Sequence, residues 1–587
     1  MSLSHPILYL SQTNKERPFA AYLSEILAVE GVQTYDSHDL AKNPQLPENL
    51  KAYALILIGR CQLDTAQIET LFQYVQNGGS LITSRPPVPL AEKFGVKGFV
   101  GLNDTVDRIR ESYLLKTPEL DNLLPFPYPS LQFHGEAEMY QNEDAEVLAN
   151  FGIVRTTSST FPAIFKKTSG QGTFYAFAYD LAETILLLHQ GDARCASDGP
   201  FPDTDLDQGY KSNDFFYEYL DPELKELPQA DLQQDILVAM IQEALAEKIP
   251  LPRVWHFPHA APAIAMINGD SDEMTPGELD SVIDAIEEHG GKFTTFLLQS
   301  DYQALPPEKW ADLRLRGHDI GPHPFCGRLP SVDQVRANMA KDLAAFRQEY
   351  DYQPVAQRGH HVVWVGWVDQ AKILAENGLK LDTNYIPGRR FQYGYVNGSA
   401  LPVQFMDETG EMIPLYEQST ISTDDGMFSP KLFNPLKSDD EIIAISKKQI
   451  DRSIEEFHGV YHPYFHPICV RTLGTLPWIK AIAAYLKERN VPHVNGREWV
   501  EFNDSRRALQ WQTLSWDAAT STLDITLSCP NAISGLTLLF PASIQQKKVD
   551  PSTNASLSLT TLENRQYLAW TLDLEASQPA SIQLTYR

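Results

Sequence analysis

The chain has 587 residues and a mass of 66.0 kDa, several times the size of one domain, which excludes a small disulfide-stapled fold and leaves room for two to four cores. With 48 basic against 76 acidic side chains the net charge is −28, a balance that repels phosphate backbones and anionic membrane surfaces, so a nucleic acid partner is not expected. Five scattered cysteines without close pairs read as reduced thiols and favour the cytoplasm.

The first residues lack a basic region followed by an apolar stretch, although a chain whose export signal had been removed would look the same. No window holds the run of about 18 apolar residues that a membrane span requires.

In chain order, Ile7–Leu10 and Ala54–Ile58 are apolar runs of buried-strand type. Ile68, Leu71, Phe72 and Val75 fall at helical spacing before Gly78-Gly79, and Leu81-Ile82 follows as another strand. This βα alternation resembles the class I glutamine amidotransferase-like fold, including its noncatalytic form, over 1–248 if the run Gly170–Asp180 joins the same sheet. Activity in that fold needs a cysteine on a glycine-flanked elbow with a histidine in reach. Cys61, in Gly59-Arg-Cys-Gln, lacks the second glycine, so the domain is expected to be noncatalytic.

Four prolines between 250 and 262 mark a linker or domain entry, with His256 and His259 expected at the surface. Beyond it, Ala263–Ile267 reads as a strand, Thr275-Pro276 as a helix start, and Leu279, Val282, Ile283 and Ile286 as a helix stripe before Gly290-Gly291. Repeated βα units of about 30 to 40 residues continue to 505 and predict a parallel α/β barrel over 249–505. From 506 to 587 short alternating runs, with six basic and six acidic residues, predict a small β-sandwich.

Eleven of the fifteen histidines lie between 256 and 493, which locates the chemistry in the barrel, where residues just after strands converge on one mouth. Five polar segments stand at such positions: Asn268-Gly-Asp-Ser-Asp, Gly317-His-Asp-Ile-Gly-Pro-His, Gln357-Arg-Gly-His-His, Leu381-Asp-Thr-Asn-Tyr and Val460-Tyr-His-Pro-Tyr-Phe-His-Pro. Their order and spacing resemble the NodB-type polysaccharide deacetylases of carbohydrate esterase family 4, over about 255–500.

The resemblance implies metal-dependent removal of acetyl groups from a carbohydrate, with a divalent metal, zinc first. Asp270 is then the base and Asp272 a ligand, and the bland reading of these two acids is an Asx cap for the helix at Thr275. His323 matches the first metal histidine, whose usual partner four residues on is here Gly327. That gap leaves Cys326, His360, His361, His462 and His466 as alternative donors. His318, inside a strand, reads as a buried structural histidine.

Arg358 matches the arginine that pairs with the base. Asp382 is expected to raise the pKa of a general-acid histidine, with His462 the first choice and His466 the reserve. Trp364, Trp367, Tyr385 and Tyr461 are aromatic faces for sugar or for the core, with Trp364 and Tyr385 named as substrate contacts. A homo-oligomer is left open. The rival reading is a noncatalytic carbohydrate-binding or scaffold protein with a degenerate barrel, motivated by Gly327.

Overall fold

The computed structural model describes residues 5–15, 17–99, 108–196, 209–216, 219–428, 437–542, 544–549, 555–563 and 565–586. It is a mixed α/β structure whose largest sheet has nine strands. Tyr35–Asp39, Ile7–Ser11, Leu55–Ile58, Ser80–Ser84 and Gly172–Phe177 run parallel side by side. Pro162–Ser169, Glu146–Gly152, Arg108–Lys116 and Ser130–Glu138 extend that sheet antiparallel.

Leu55-Ile-Leu-Ile is buried on both faces, as parallel strands covered by helices must be. The helix Thr65–Gln76 starts at an Asp64–Gln67 capping box, which satisfies backbone N–H groups that the first turn leaves open. Cys61 is buried with its thiol directed at the Leu10 carbonyl oxygen, and burial pushes its pKa up to about 12. A thiol so placed is a poor nucleophile.

The middle of the chain departs from the expected closed barrel. Its strands form three separate ladders: a five-stranded sheet, a four-stranded sheet and a two-stranded pair. In the first, Asp319–Pro322, Thr294–Leu297, Asn268–Asp270, Pro463–Phe465 and Ser422–Thr423 are adjacent and parallel. The second places Ala356–Gln357, Leu381–Asp382 and Met412–Glu417 in parallel, with Val403–Met406 antiparallel at its edge. Ile264–Ala265 pairs with Val460–Tyr461.

The ring of hydrogen bonds is interrupted because the strands are only two to six residues long and because His462 breaks one of them. Val460–Tyr461 and Pro463–Phe465 flank that residue and pair with different strands, and Pro463 has no N–H to give to a ladder.

The proline-bounded segment is also not an exposed linker. Arg253–Val254 pairs with Leu538–Leu539 of a C-terminal sheet, Trp255 is fully buried, and His256 is buried too, contrary to expectation. Only His259 of the two histidines is exposed. The prolines end regular structure on either side of an Arg-Val-Trp-His-Phe run whose apolar members require burial. Two four-stranded sheets make the C-terminal part, with strands from Gln510 onward after the helix Gly496–Arg507. Among the described residues no helix is long and apolar enough to cross a membrane.

His189 links the N-terminal sheet region to the middle of the chain. It is buried, hydrogen bonded to Tyr22, whose hydroxyl also reaches the Gln404 carbonyl oxygen, and burial pulls its pKa down to about 3 from the ordinary 6.5. A base with a depressed folded pKa contributes stability above its unfolded pKa and loses it as pH falls toward the folded one, because the unfolded state binds the proton first. Between pH 7 and pH 5 the wild type is therefore expected to lose about 2 kcal/mol more stability than His189→Gln. Urea unfolding at the two pH values checks this; parallel losses in the two proteins would contradict it.

Candidate functional site

The site begins at the end of the strand Asn268–Asp270. Gly269 lies so close to the next strand that a Cβ there would stand 2.2 Å from the Phe465 carbonyl oxygen, so only glycine permits this approach. The register sets Asn268 beside Tyr464 and Gly269 beside Phe465, which brings Asp270 to Tyr464 and His466.

The chain then turns sharply. Asp272 and Glu273 adopt left-handed backbone angles, φ 29° and 62°, which are costly for residues with a Cβ and need outside support. Asp301 provides it by accepting from the Ser271 hydroxyl at 2.6 Å and from the Glu273 N–H at 3.0 Å. The following helix is capped by Thr275 with Glu278, so Asp272 is not spent on a cap.

The two carboxylates enter different surroundings. Asp270 is buried; its Oδ1 accepts from Arg358 at 3.3 Å and its Oδ2 from the Tyr464 hydroxyl at 2.7 Å. Asp272 remains partly open to solvent. Its Oδ1 lies 3.3 Å from His323 Nε2 and 3.1 Å from His360 Nδ1, and its Oδ2 lies 3.4 Å from His466 Nε2. Burial alone would raise the Asp272 carboxyl, but hydrogen bonds from His323, His360 and His466 outweigh it and hold the group far below the usual carboxylate range.

His323 Nδ1 donates to the Arg358 carbonyl oxygen at 2.7 Å, which turns Nε2 toward His360 Nδ1, 3.1 Å away. Asp272, His323 and His360 thus present three donor atoms to one point. Their separations of 3.1 to 3.3 Å match the edge of about 3.3 Å that ligands 2.0–2.1 Å from a tetrahedral zinc must have. Sulfur is absent from the set, and a fourth corner is left for solvent or substrate. The donor chemistry and spacing fit a divalent cation.

Gly327 does not belong to this site. Residues 323–328 form no helix, so the i+4 relation expected after His323 has no geometric meaning. Gly327 is left-handed at φ 86°, and a Cβ there would meet nothing. His360, from a different strand end, is the second imidazole beside His323. His361 turns aside against Phe325, and burial and His360 lower its pKa to about 4. Cys326 is not in the cluster; burial and Asp342 push its thiol up to about 12.

The expected Asp382–His462 unit is not formed. His462 is fully buried between Asn268 Nδ2 and the Ser419 carbonyl oxygen at 3.1 Å. Burial first, then Arg358, lower its pKa to about 3, so it is neutral and structural. Asp382 instead meets Gln357, Asn384 and Glu417. Burial raises both carboxyls, and the charge of Asp382 adds to the rise at Glu417.

A carboxylate–imidazole pair forms instead between Asp424 and His466. His466 Nδ1 is 2.7 Å from Asp424 Oδ1, and Nε2 is 2.6 Å from the Tyr464 hydroxyl. Burial works against protonation, but Tyr464, Asp424 and Asp272 raise the His466 pKa well above its ordinary value. The His462 assignment was four residues early because the strand resumes after it. Asp424 and Tyr464 were missed. The one signal for Asp424 was an acid directly after the run Ile421-Ser-Thr, and Tyr464 faces the site by alternation with His466.

Trp364 and Tyr385, expected as substrate contacts, are buried core residues, as are Trp367 and Tyr461. Phe325 is the exposed aromatic instead, half open to solvent with its ring 5.2 Å from that of His360. His318 is structural as expected, held by Glu287 and the Phe293 N–H.

No family model matches the chain, and no curated protein matches it. Solved structures do. A Mycobacterium smegmatis protein assigned as a polysaccharide deacetylase is 15% identical, with a TM-score of 0.34, over 44% of this chain and 96% of its own. Peptidoglycan deacetylase PdaC from Bacillus subtilis is 16% identical, with a TM-score of 0.26, over 43% and 96%. A β-galactosidase from Bacillus circulans sp. alkalophilus is 12% identical, with a TM-score of 0.22, over 30% of this chain and 29% of its own. At such identities the chemistry has to be argued from the side chains.

The buried Asp270–Arg358 pair makes a prediction of its own. Removing one member strands a buried charge, so Arg358→Met should destabilise the chain by about 3–5 kcal/mol, and adding Asp270→Asn should recover part of that loss. Denaturant unfolding of the two singles and the double checks it, and simple additivity would refute the coupling.

Proposed function

We propose that this chain is a divalent-cation-dependent hydrolase that removes acetyl groups from a carbohydrate, the activity that the NodB-type resemblance implies. The observation that carries the proposal is the splitting of two acids two residues apart. Asp272 completes a three-donor face with His323 and His360, while Asp270 is held by Arg358 and Tyr464 with His466 beyond. A base and an acid therefore flank one electrophilic point.

Asp272, His323 and His360 would hold the cation, zinc first among the choices, which supplies Lewis-acid polarisation of the scissile carbonyl and makes water more acidic. Asp270 takes the proton of the attacking water, and Arg358 keeps that carboxylate aimed. Tyr464 donates to Asp270 while accepting from His466 Nε2–H, which aligns base and acid.

His466, kept protonated by Asp424, delivers its proton to the departing amine or alkoxide. Acetate and the free amine or alcohol are the products. Phe325, rather than Trp364 or Tyr385, offers an apolar face for a sugar ring. The noncatalytic alternative drew on Gly327, and the third donor from His360 removes that motive. We also keep the division into 1–248, 249–505 and 506–587, and read the first part as a noncatalytic amidotransferase-like module on the strength of the buried Cys61.

Purified protein should carry one divalent cation per chain, lost on chelation together with acetate release from acetylated oligosaccharides. Asp272→Ala should abolish metal uptake, whereas Asp270→Asn should keep the metal and lose turnover. A chain that binds none of zinc, cobalt or nickel would overturn the proposal.

His466→Ala and Asp424→Asn should each lower kcat by about 10²–10⁴, with the double variant little worse than the worse single, because groups acting as one unit are non-additive. Additive losses would separate the two residues.

A further inference from the structure

His466 has two faces. Nε2 looks toward Tyr464 and Asp272, and Nδ1 toward Asp424. On the Asp424 side a third donor stands close. The segment His466-Pro-Ile-Cys469 closes a turn in which the Cys469 N–H donates to the His466 carbonyl oxygen at 2.8 Å, which returns the thiol to the imidazole. Asp424 approaches from the end of the strand Ser422–Thr423 and is fully buried, as Cys469 nearly is. Ligand atoms of Asp424, His466 and Cys469 all lie within 4.8 Å of one another.

We propose that Asp424, His466 and Cys469 form a second metal site that takes a thiophilic divalent cation, zinc in excess or cadmium, and that its occupancy inhibits the enzyme. A carboxylate, an imidazole and a thiolate make a tetrahedral set with solvent at the fourth corner. The sulfur selects zinc or cadmium over magnesium and calcium, which prefer oxygen.

On binding, the Cys469 Sγ–H and His466 Nδ1–H protons leave to solvent and the cation takes their place. The Asp424–His466 separation opens from 2.7 Å to the edge of about 3.3 Å that zinc requires. His466 is then a metal-bound neutral imidazole whose remaining Nε2–H is a far weaker acid than the imidazolium, so proton delivery to the leaving group fails. The inhibitory part rests on the acid role proposed above; the binding part does not.

The test loads the full chain with one equivalent of zinc and titrates in cadmium, following the ultraviolet thiolate-to-cadmium charge-transfer band and the bound metal by elemental analysis. The wild type should gain the band and a second cation, and excess zinc should lower acetate release by about 10²-fold, the lower bound for loss of a general acid. Cys469→Ser should lack the band and the second cation, retain the first cation and basal turnover, and, unlike the wild type, resist excess zinc. Asp272→Ala, which removes the first cation, should keep the band.

No band in the wild type, or the same band and stoichiometry in Cys469→Ser, overturns the site and places any sulfur contact at Cys195 or Cys326. A Cys469-dependent band accompanied by undiminished acetate release overturns the inhibitory role alone. A Cys469-dependent band in a chain that releases no acetate from any substrate supports the site and counts against the hydrolase.

Discussion

Everything in the candidate site leans on one buried guanidinium. Arg358 is fully enclosed and donates to Asp270, to the Thr383 carbonyl oxygen and to the Thr420 hydroxyl. Its plane lies 3.9 Å from the Tyr464 ring centroid, and its own carbonyl oxygen fixes the tautomer of His323. A buried cation without such partners would cost several kcal/mol. With them, one residue orients Asp270, seats Tyr464 between Asp270 and His466, and points His323 at the donor cluster.

The same economy explains how neighbouring carboxylates do unlike work. Asp270 is still in the strand and meets a cation and a hydroxyl; Asp272 is past the strand in a left-handed turn and meets three imidazoles. Both carboxylates lie beside His323 Nε2, Asp270 at 3.4 Å and Asp272 at 3.3 Å, but the turn gives them different further partners, and its strain is held by Asp301. Two residues of one type thereby acquire different environments, which is what the proposed division into base and cation ligand requires.

A second buried charge network joins distant parts of the chain. Arg253 pairs with Glu30 and Glu563, and Arg506 donates to the carbonyl oxygens of Val29, Val254 and Trp255. Residues from the N-terminal region, the proline-bounded segment and the C-terminal sheets are thus tied at one point. Long chains bury charge mainly where it is paired, and here the pairing partners come from hundreds of residues apart, which is why the proline-rich stretch is packed rather than extended.

Local chemistry was legible in the residues themselves. Strand and helix alternation, the helix start at Thr275-Pro276 and the two acids after a strand follow from periodicity and from residue types that act within a few positions of their own backbone, whereas His323 and Arg358 were singled out by the resemblance of their segments. The structure alone decided which strand end faces which. It put His360 rather than a residue near Gly327 beside His323 and Asp272, paired Asp424 with His466 across a strand break from His462, left Asp382 with Gln357, Asn384 and Glu417, and buried Trp364 and Tyr385. Each depends on register and crossing between segments tens to hundreds of residues apart, and a two-residue slip along a strand redirects a side chain to another depth of the same face. Sequence specifies the donors; only the pairing of strands fixes the point on which they converge.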